Sequence, residues 1–179
     1  MISIIFYLKN NNEYKKDYQI STNSSCYSII QTKDNEICYS EYKNSAICFY
    51  NILERKIKAT ISNISKHNGC REWFIMMKKD LLLIPGSNQL SIINTNEYKL
   101  IRTINVPNAS WITGVCLLNK DMLLTGDDAE IIRQWKIEGD NLILISKKEK
   151  TDDSEINDLL NMGNGLIASG SNGSSIKIW

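Results

Sequence analysis

Apolar residues along this chain come in short alternating runs, broken every few positions by clusters of Asn, Asp, Gly, Ser and Lys. No stretch sustains the 3.6-residue period of an amphipathic helix over ten or more positions, and Ser154 to Leu160 comes nearest. Strands are predicted throughout. The runs also repeat. Ile47-Cys48-Phe49-Tyr50, Leu90-Ser91-Ile92-Ile93, Ile132-Arg133-Gln134-Trp135 and Ile176-Lys177-Ile178-Trp179 superpose, their last positions stepping by 43, 42 and 44 residues. One more step back lands on Tyr7. Ahead of them Ile30, Phe74, Val115 and Leu159 open a second register, stepping by 44, 41 and 44.

Each unit then reads as four strands. The first ends in a polar turn, Lys33-Asp34-Asn35-Glu36, Lys78-Lys79-Asp80, Asn119-Lys120-Asp121 or Gly163-Asn164-Gly165. A second apolar strand follows at Ile37–Tyr39, Leu81–Ile84, Met122–Leu124 and Leu166–Ala168. The next turn is clearest at Gly126-Asp127-Asp128-Ala129 and Gly170-Ser171-Asn172-Gly173, where glycine is expected to supply positive φ and the Asp pair to be solvated. After the repeated third strand comes a more polar fourth, at Lys56–Ile61, Tyr98–Thr103 and Leu142–Ile145, suited to an outer edge. A four-stranded sheet of this length cannot bury both faces alone, so the sheets must pack on one another, and radial packing makes a propeller. The predicted fold class is an all-β propeller of four-stranded antiparallel blades, about four of them, incomplete or open, with repeats near 1–21, 22–61, 62–104, 105–146 and 147–179.

Leu166-Ile167-Ala168-Ser169-Gly170-Ser171-Asn172-Gly173-Ser174-Ser175-Ile176-Lys177-Ile178-Trp179 closely resembles the repeat of the WD (WD40) family, roughly L-x-S-G-S-x-D-x-x-I-x-I-W-D. Thr125-Gly126 with Ile132 and Trp135 is similar, while Tyr50 and Ile93 stand where the family has tryptophan. The resemblance implies a hydrogen-bonded network joining a Gly-His, a turn Asp, a strand-b Ser or Thr and the Trp. Much of it is not matched: the single histidine, His67, follows Lys66, and the turn-Asp positions hold Asn44, Ala129 and Gly173. Blade stability is therefore expected to lean on apolar packing. Most such propellers have about seven blades, so a partial propeller is the preferred reading. The rival is a closed four-bladed ring in which the strand near Tyr18 to Ser21 pairs beside Ile176 to Trp179.

Composition narrows the function. With 42% apolar and 23% charged residues and a net charge of +1, the chain is that of an ordinary globular protein without a field of one sign to draw nucleic acid or anionic lipid. An RNA-binding reading lacks the basic stripe with interleaved aromatics it would need. Five cysteines without a CxxC pair, Cys26, Cys38, Cys48, Cys70 and Cys116, fit buried small residues in a reducing compartment better than disulfides or zinc. The apolar opening Met1 to Leu8 has no basic leader or cleavage site, no run is long enough to span a membrane, and the four N-x-[ST] matches in an Asn-rich chain read as chance. An intracellular site, cytoplasmic more than nuclear, is expected in a eukaryotic protein.

No nucleophile with a base, metal cage or phosphate cradle is present, so neither catalysis nor a cofactor is expected. His67 sits in the polar stretch Ser65-Lys66-His67-Asn68-Gly69 and reads as a surface loop residue. What remains is a surface. In the WD arrangement the d-to-a and b-to-c loops share one face, which here gathers Arg71, Trp111, Asp127, Asp128, Glu130 and Asn172. Trp111 matches Cys26, Cys70 and Glu155 in other repeats, so the core does not require an aromatic there. The expected function is a scaffold or adaptor that holds protein or peptide partners on this face, with self-association through open terminal blades. The alternative is the regulatory or substrate-recruiting part of a larger enzyme such as a kinase or ubiquitin ligase.

Overall fold

In the computed structural model, residues 2–10, 13–22, 24–42, 45–64, 74–109, 111–149 and 154–179 are described. They form strands and turns only. The first pair, β1 (Ile2–Asn10) and β2 (Glu13–Thr22), is antiparallel and stands alone as a two-stranded sheet. The first complete blade is β3 (Ile29–Lys33), β4 (Glu36–Glu41), β5 (Ala46–Asn51) and β6 (Lys56–Ile61), hydrogen-bonded in that order. The second is β7 (Ile75–Lys78), β8 (Leu81–Gly86), β9 (Gln89–Asn94) and β10 (Lys99–Asn105); the third is β11 (Ile112–Asn119), β12 (Met122–Asp127), β13 (Ile132–Glu138) and β14 (Asn141–Lys148). A fourth blade has β15 (Ile156–Gly163), β16 (Leu166–Ser171) and β17 (Ile176–Ile178). Among the described residues β2 pairs with β1 and β17 with β16, so the closed four-bladed ring is not what forms.

The period of two along each strand sends neighbouring side chains to opposite faces, and each blade thereby buries one face against each neighbour. Ile37 and Tyr39 pack with Phe6, Tyr18 and Ile20 of the first pair, whereas Cys38 between them turns toward Leu82 and Ile93 of the second blade. Leu83 faces the other way, to Leu123 and Trp135 of the third blade, and Leu124 faces Ile156 and Leu159 of the fourth. Four apolar clusters thus occupy four junctions between consecutive sheets. Burying each of these side chains is worth about 1.5–3 kcal/mol, which is what joins sheets that share no strand-to-strand hydrogen bonds.

Polar ties add to the apolar contacts. At the junction of the first and second blades Glu36 is buried yet satisfied: Tyr98 donates to it at 2.6 Å and Thr32 at 2.7 Å. Lys33 completes the set, donating to the Thr95 carbonyl at 2.8 Å with its ammonium 4.9 Å from the Tyr98 ring centre. Tyr98 keeps its proton up to about pH 12, chiefly because it donates to the Glu36 carboxylate and also because it is partly buried. Further along, Asn161 reaches from β15 to the carbonyls of Leu117 and Leu118 at 2.9 and 3.0 Å.

The turns correct one expectation. Gly126 and Gly170 do not carry positive φ; in the turns between second and third strands it falls on Ser45, Asn88, Glu130 and Ser174, at φ of 44°, 49°, 62° and 61°. These four positions keep the repeat. Gly126 is needed for another reason, because a Cβ there would stand 2.7 Å from Ile156 Cγ2, where the third and fourth blades close on each other.

Candidate interaction surface

The turn after β12 is built on Asp127. Its Oδ1 accepts from the amides of Ala129 and Ile131, both at 3.0 Å, which holds the chain through the reversal into β13. Its Oδ2 pairs with Arg133, and Arg133 also donates to the Pro107 carbonyl at 3.0 Å. Asp127 is 0% exposed and Arg133 2%. The Asp pair is therefore not a solvated turn: Asp127 lies inside, tying the entry loop of the third blade to its own second and third strands. A buried pair of this kind holds only because each charge is also hydrogen-bonded to backbone.

Asp128 points the other way and fastens the next loop. Its Oδ1 accepts from the Trp111 amide at 3.0 Å, and its own amide donates to the Trp111 carbonyl at 3.1 Å. The same bond recurs at the equivalent position of the fourth blade, from Asn172 to the Glu155 carbonyl at 3.0 Å, and the first blade has one a residue away, from Tyr42 to the Ser25 carbonyl at 2.9 Å. In each case the turn between second and third strands leans on the segment that leads into the first. Trp111, Asp128 and Glu130 are half-buried, and Asn172 is exposed. Asn172 donates to Glu155 at 3.0 Å and accepts from Asn157 at 2.6 Å, so Glu155, expected only as the counterpart of Trp111, and Asn157, which the sequence did not single out, join the surface. Arg71, with His67 and Cys70, lies outside the described residues. Of the six expected residues the third blade joins Trp111 to Asp128, while Asn172 is held by Glu155 and Asn157 of the fourth.

Beneath this face the tryptophans do what the repeat implies. Trp135 donates to Thr125 Oγ1 at 2.9 Å and Trp179 to Ser169 Oγ at 3.0 Å, each from the third strand to the second. Part of the hydrogen-bonded network thus survives in both blades. Four-stranded antiparallel sheets, radial stacking and the Trp–hydroxyl bond at a 44-residue step decide the architecture. The fold is that of a WD40 β-propeller.

Comparison with solved structures supports this. The propeller resembles a chain in the crystal structure of a mitotic checkpoint complex, with a TM-score of 0.78 at 11% identity over 95% of this chain and 53% of that one. It also resembles the WD40 β-propeller domain of Doa1, with a TM-score of 0.73 at 17% identity over 91% of this chain and 53% of that one. The chain spans about half the length of these solved chains. No protein-family model and no curated protein matches the sequence.

Among the described residues no group of His, Cys, Asp and Glu could hold a metal ion, and no helix is long and apolar enough to cross a membrane. Cys26, Cys38, Cys48 and Cys116 form no disulfide. Burial pushes the thiol of Cys116 up to about 11, with the Asp158 carboxylate adding to it, and burial likewise raises Cys26 and Cys48. Such thiols are poor nucleophiles at neutral pH.

Proposed function

We propose that this propeller is a non-catalytic interaction module, a scaffold or adaptor that takes protein or peptide partners on the loop face of its third and fourth blades. The observation that carries the reading is the recurring bond from turn to entry segment, which makes the face a rigid platform while its side chains differ from blade to blade. Trp111 in one blade and Glu155 in the next occupy the same braced position, giving an aromatic and an acidic contact side by side. Preorganised loops lose little entropy when a partner docks. Cysteines outside any disulfide fit an intracellular, reducing setting, which we take to be the cytoplasm.

Photo-crosslinking tests it. A photoreactive residue at Asn172 or Glu130 is expected to yield protein adducts in cell extract that vanish in the Trp111→Ala variant, while one at Lys58 on the outer rim yields none. Adducts of equal strength from Lys58, or adducts indifferent to Trp111, would reject the loop face.

A further inference from the structure

An asparagine followed by glycine can convert itself without an enzyme, because glycine has no side chain to keep its nitrogen away from the asparagine Cγ. The nitrogen, having lost its proton, bonds to Cγ, the bond from Cγ to Nδ2 breaks and ammonia leaves. Water then opens the five-membered imide at either carbonyl, giving aspartate or isoaspartate. The chain carries this dipeptide at Asn68-Gly69, which lies outside the described residues, and at Asn164-Gly165 and Asn172-Gly173 of the fourth blade. The last two are both exposed.

Backbone geometry separates them. Asn164 lies at φ 52°, in the left-handed region where ψ is about +47°. Such a ψ sets the Gly165 nitrogen anti to Cβ, so Cγ cannot meet it. In the other turn Ser174 takes the left-handed place, at φ 61°, and Asn172 and Gly173 stay outside that region. The Gly173 amide donates to no described group, whereas Ser171 donates to the Ser175 carbonyl at 3.3 Å and Asn172 to the Glu155 carbonyl at 3.0 Å. The nucleophile is therefore not tied down. Asn157 Nδ2, donating to Asn172 Oδ1 at 2.6 Å, draws electron density off the carbon to be attacked.

We infer that Asn172-Gly173 is a site of spontaneous deamidation, and that the conversion unlatches Glu155 on the loop face. Before it, Asn172 Nδ2 donates to Glu155 Oε2 at 3.0 Å. A carboxylate in place of that amide removes the donor and sets two negative charges at hydrogen-bond distance, so the Glu155 side chain swings away. The turn itself accommodates aspartate, because the third blade carries Asp128 in the same column and braces its own turn with it. One neutral clasp becomes two separated acids, and the face gains one negative charge, which favours cationic partner segments over anionic ones. That last step rests on the loop-face reading; the conversion does not.

The test holds the freshly made full chain at neutral pH and body temperature and follows it by peptide fragmentation and mass spectrometry. Residue 172 is expected to gain the mass of an amide-to-acid exchange, faster as pH rises, while Asn164 stays an amide. Gly173→Ala crowds the nitrogen at an exposed position outside the left-handed region, and is expected to slow the gain several-fold. A residue 172 that stays an amide, an Asn164 that converts as fast, or a Gly173→Ala chain that converts like wild type would overturn the site. The latch is read in Asn172→Asp by carbodiimide-driven amidation. Glu155 should label several-fold faster than in wild type, with Glu138, remote on β13, unchanged as the sign of an intact fold. Equal labelling of Glu155 in the two chains would overturn the unlatching. Both readouts work without a partner, so their failure is distinct from failure of the loop face.

Discussion

At the junction of the second and third blades Trp135 is 2% exposed, sealed among Leu83, Leu90, Ile137 and Leu142. Trp179 holds the same register position one blade later, with the same hydrogen bond to a second-strand hydroxyl, yet it stays half-exposed beside a cavity and under Lys148. The outward side of the fourth blade goes further still: Ile176, at the register position of the half-buried Ile132, is 78% exposed. The contrast teaches that the signature tryptophan does not make a blade rigid by itself. It becomes a core residue when the fourth strand brings an apolar side chain over it.

The largest effect should come from the buried pair of Asp127 and Arg133 in the third blade. Arg133→Met leaves Asp127 buried without its counter-charge and is expected to cost about 3–5 kcal/mol in urea unfolding. The matching positions of the fourth blade are Ser171 and Lys177, where a neutral hydroxyl stands in place of the carboxylate. Next come the tryptophans themselves. Trp135→Ala should cost about 3–5 kcal/mol and Trp179→Ala only about 1 kcal/mol, and equal losses would erase the distinction between the junctions.

Tyr98→Phe removes a donor from the buried Glu36 and is expected to cost about 1–3 kcal/mol. Its pH dependence gives a sharper reading. Folding raises the Tyr98 pKa from an ordinary 10 to about 12, so the protonated phenol favours the folded state. That contribution is whole below about pH 10 and is lost as pH climbs toward 12, and the loss should be smaller in Tyr98→Phe. The smallest effect has the opposite sign. Lys148→Ile restores the residue that the same register position holds in the first and second blades, Ile61 and Ile104, and should stabilise the chain by up to about 1 kcal/mol, visible as a small rise in melting temperature.

The strands were legible because their signal is local and repeated. Alternation names the buried face, and four superposed runs set the blade length before any contact is known. Asp127 and Arg133 were not legible. Arg133 aligns with Cys48, Ser91 and Lys177, and a charged residue in that column looks solvent-facing until its partner six positions earlier is seen to turn inward. Glycine-rich turns misled in another way: the repeat demands positive φ at one column, but that column holds Ser45, Asn88, Glu130 and Ser174, with no glycine to mark it. Trp111 and Asp128 meet because the turn after the second strand leans on the segment that enters the first, a contact between stretches 17 residues apart that the repeat places side by side.

Residue-resolved amide hydrogen exchange on the free chain reads the contrast most directly. Ile132 and Gln134, paired to β14, should exchange slowly, near the rate set by global unfolding, whereas Ile176 and Ile178 should exchange orders of magnitude faster. Equal, slow exchange at all four amides would contradict the account, because the fourth blade would then be as closed as the third.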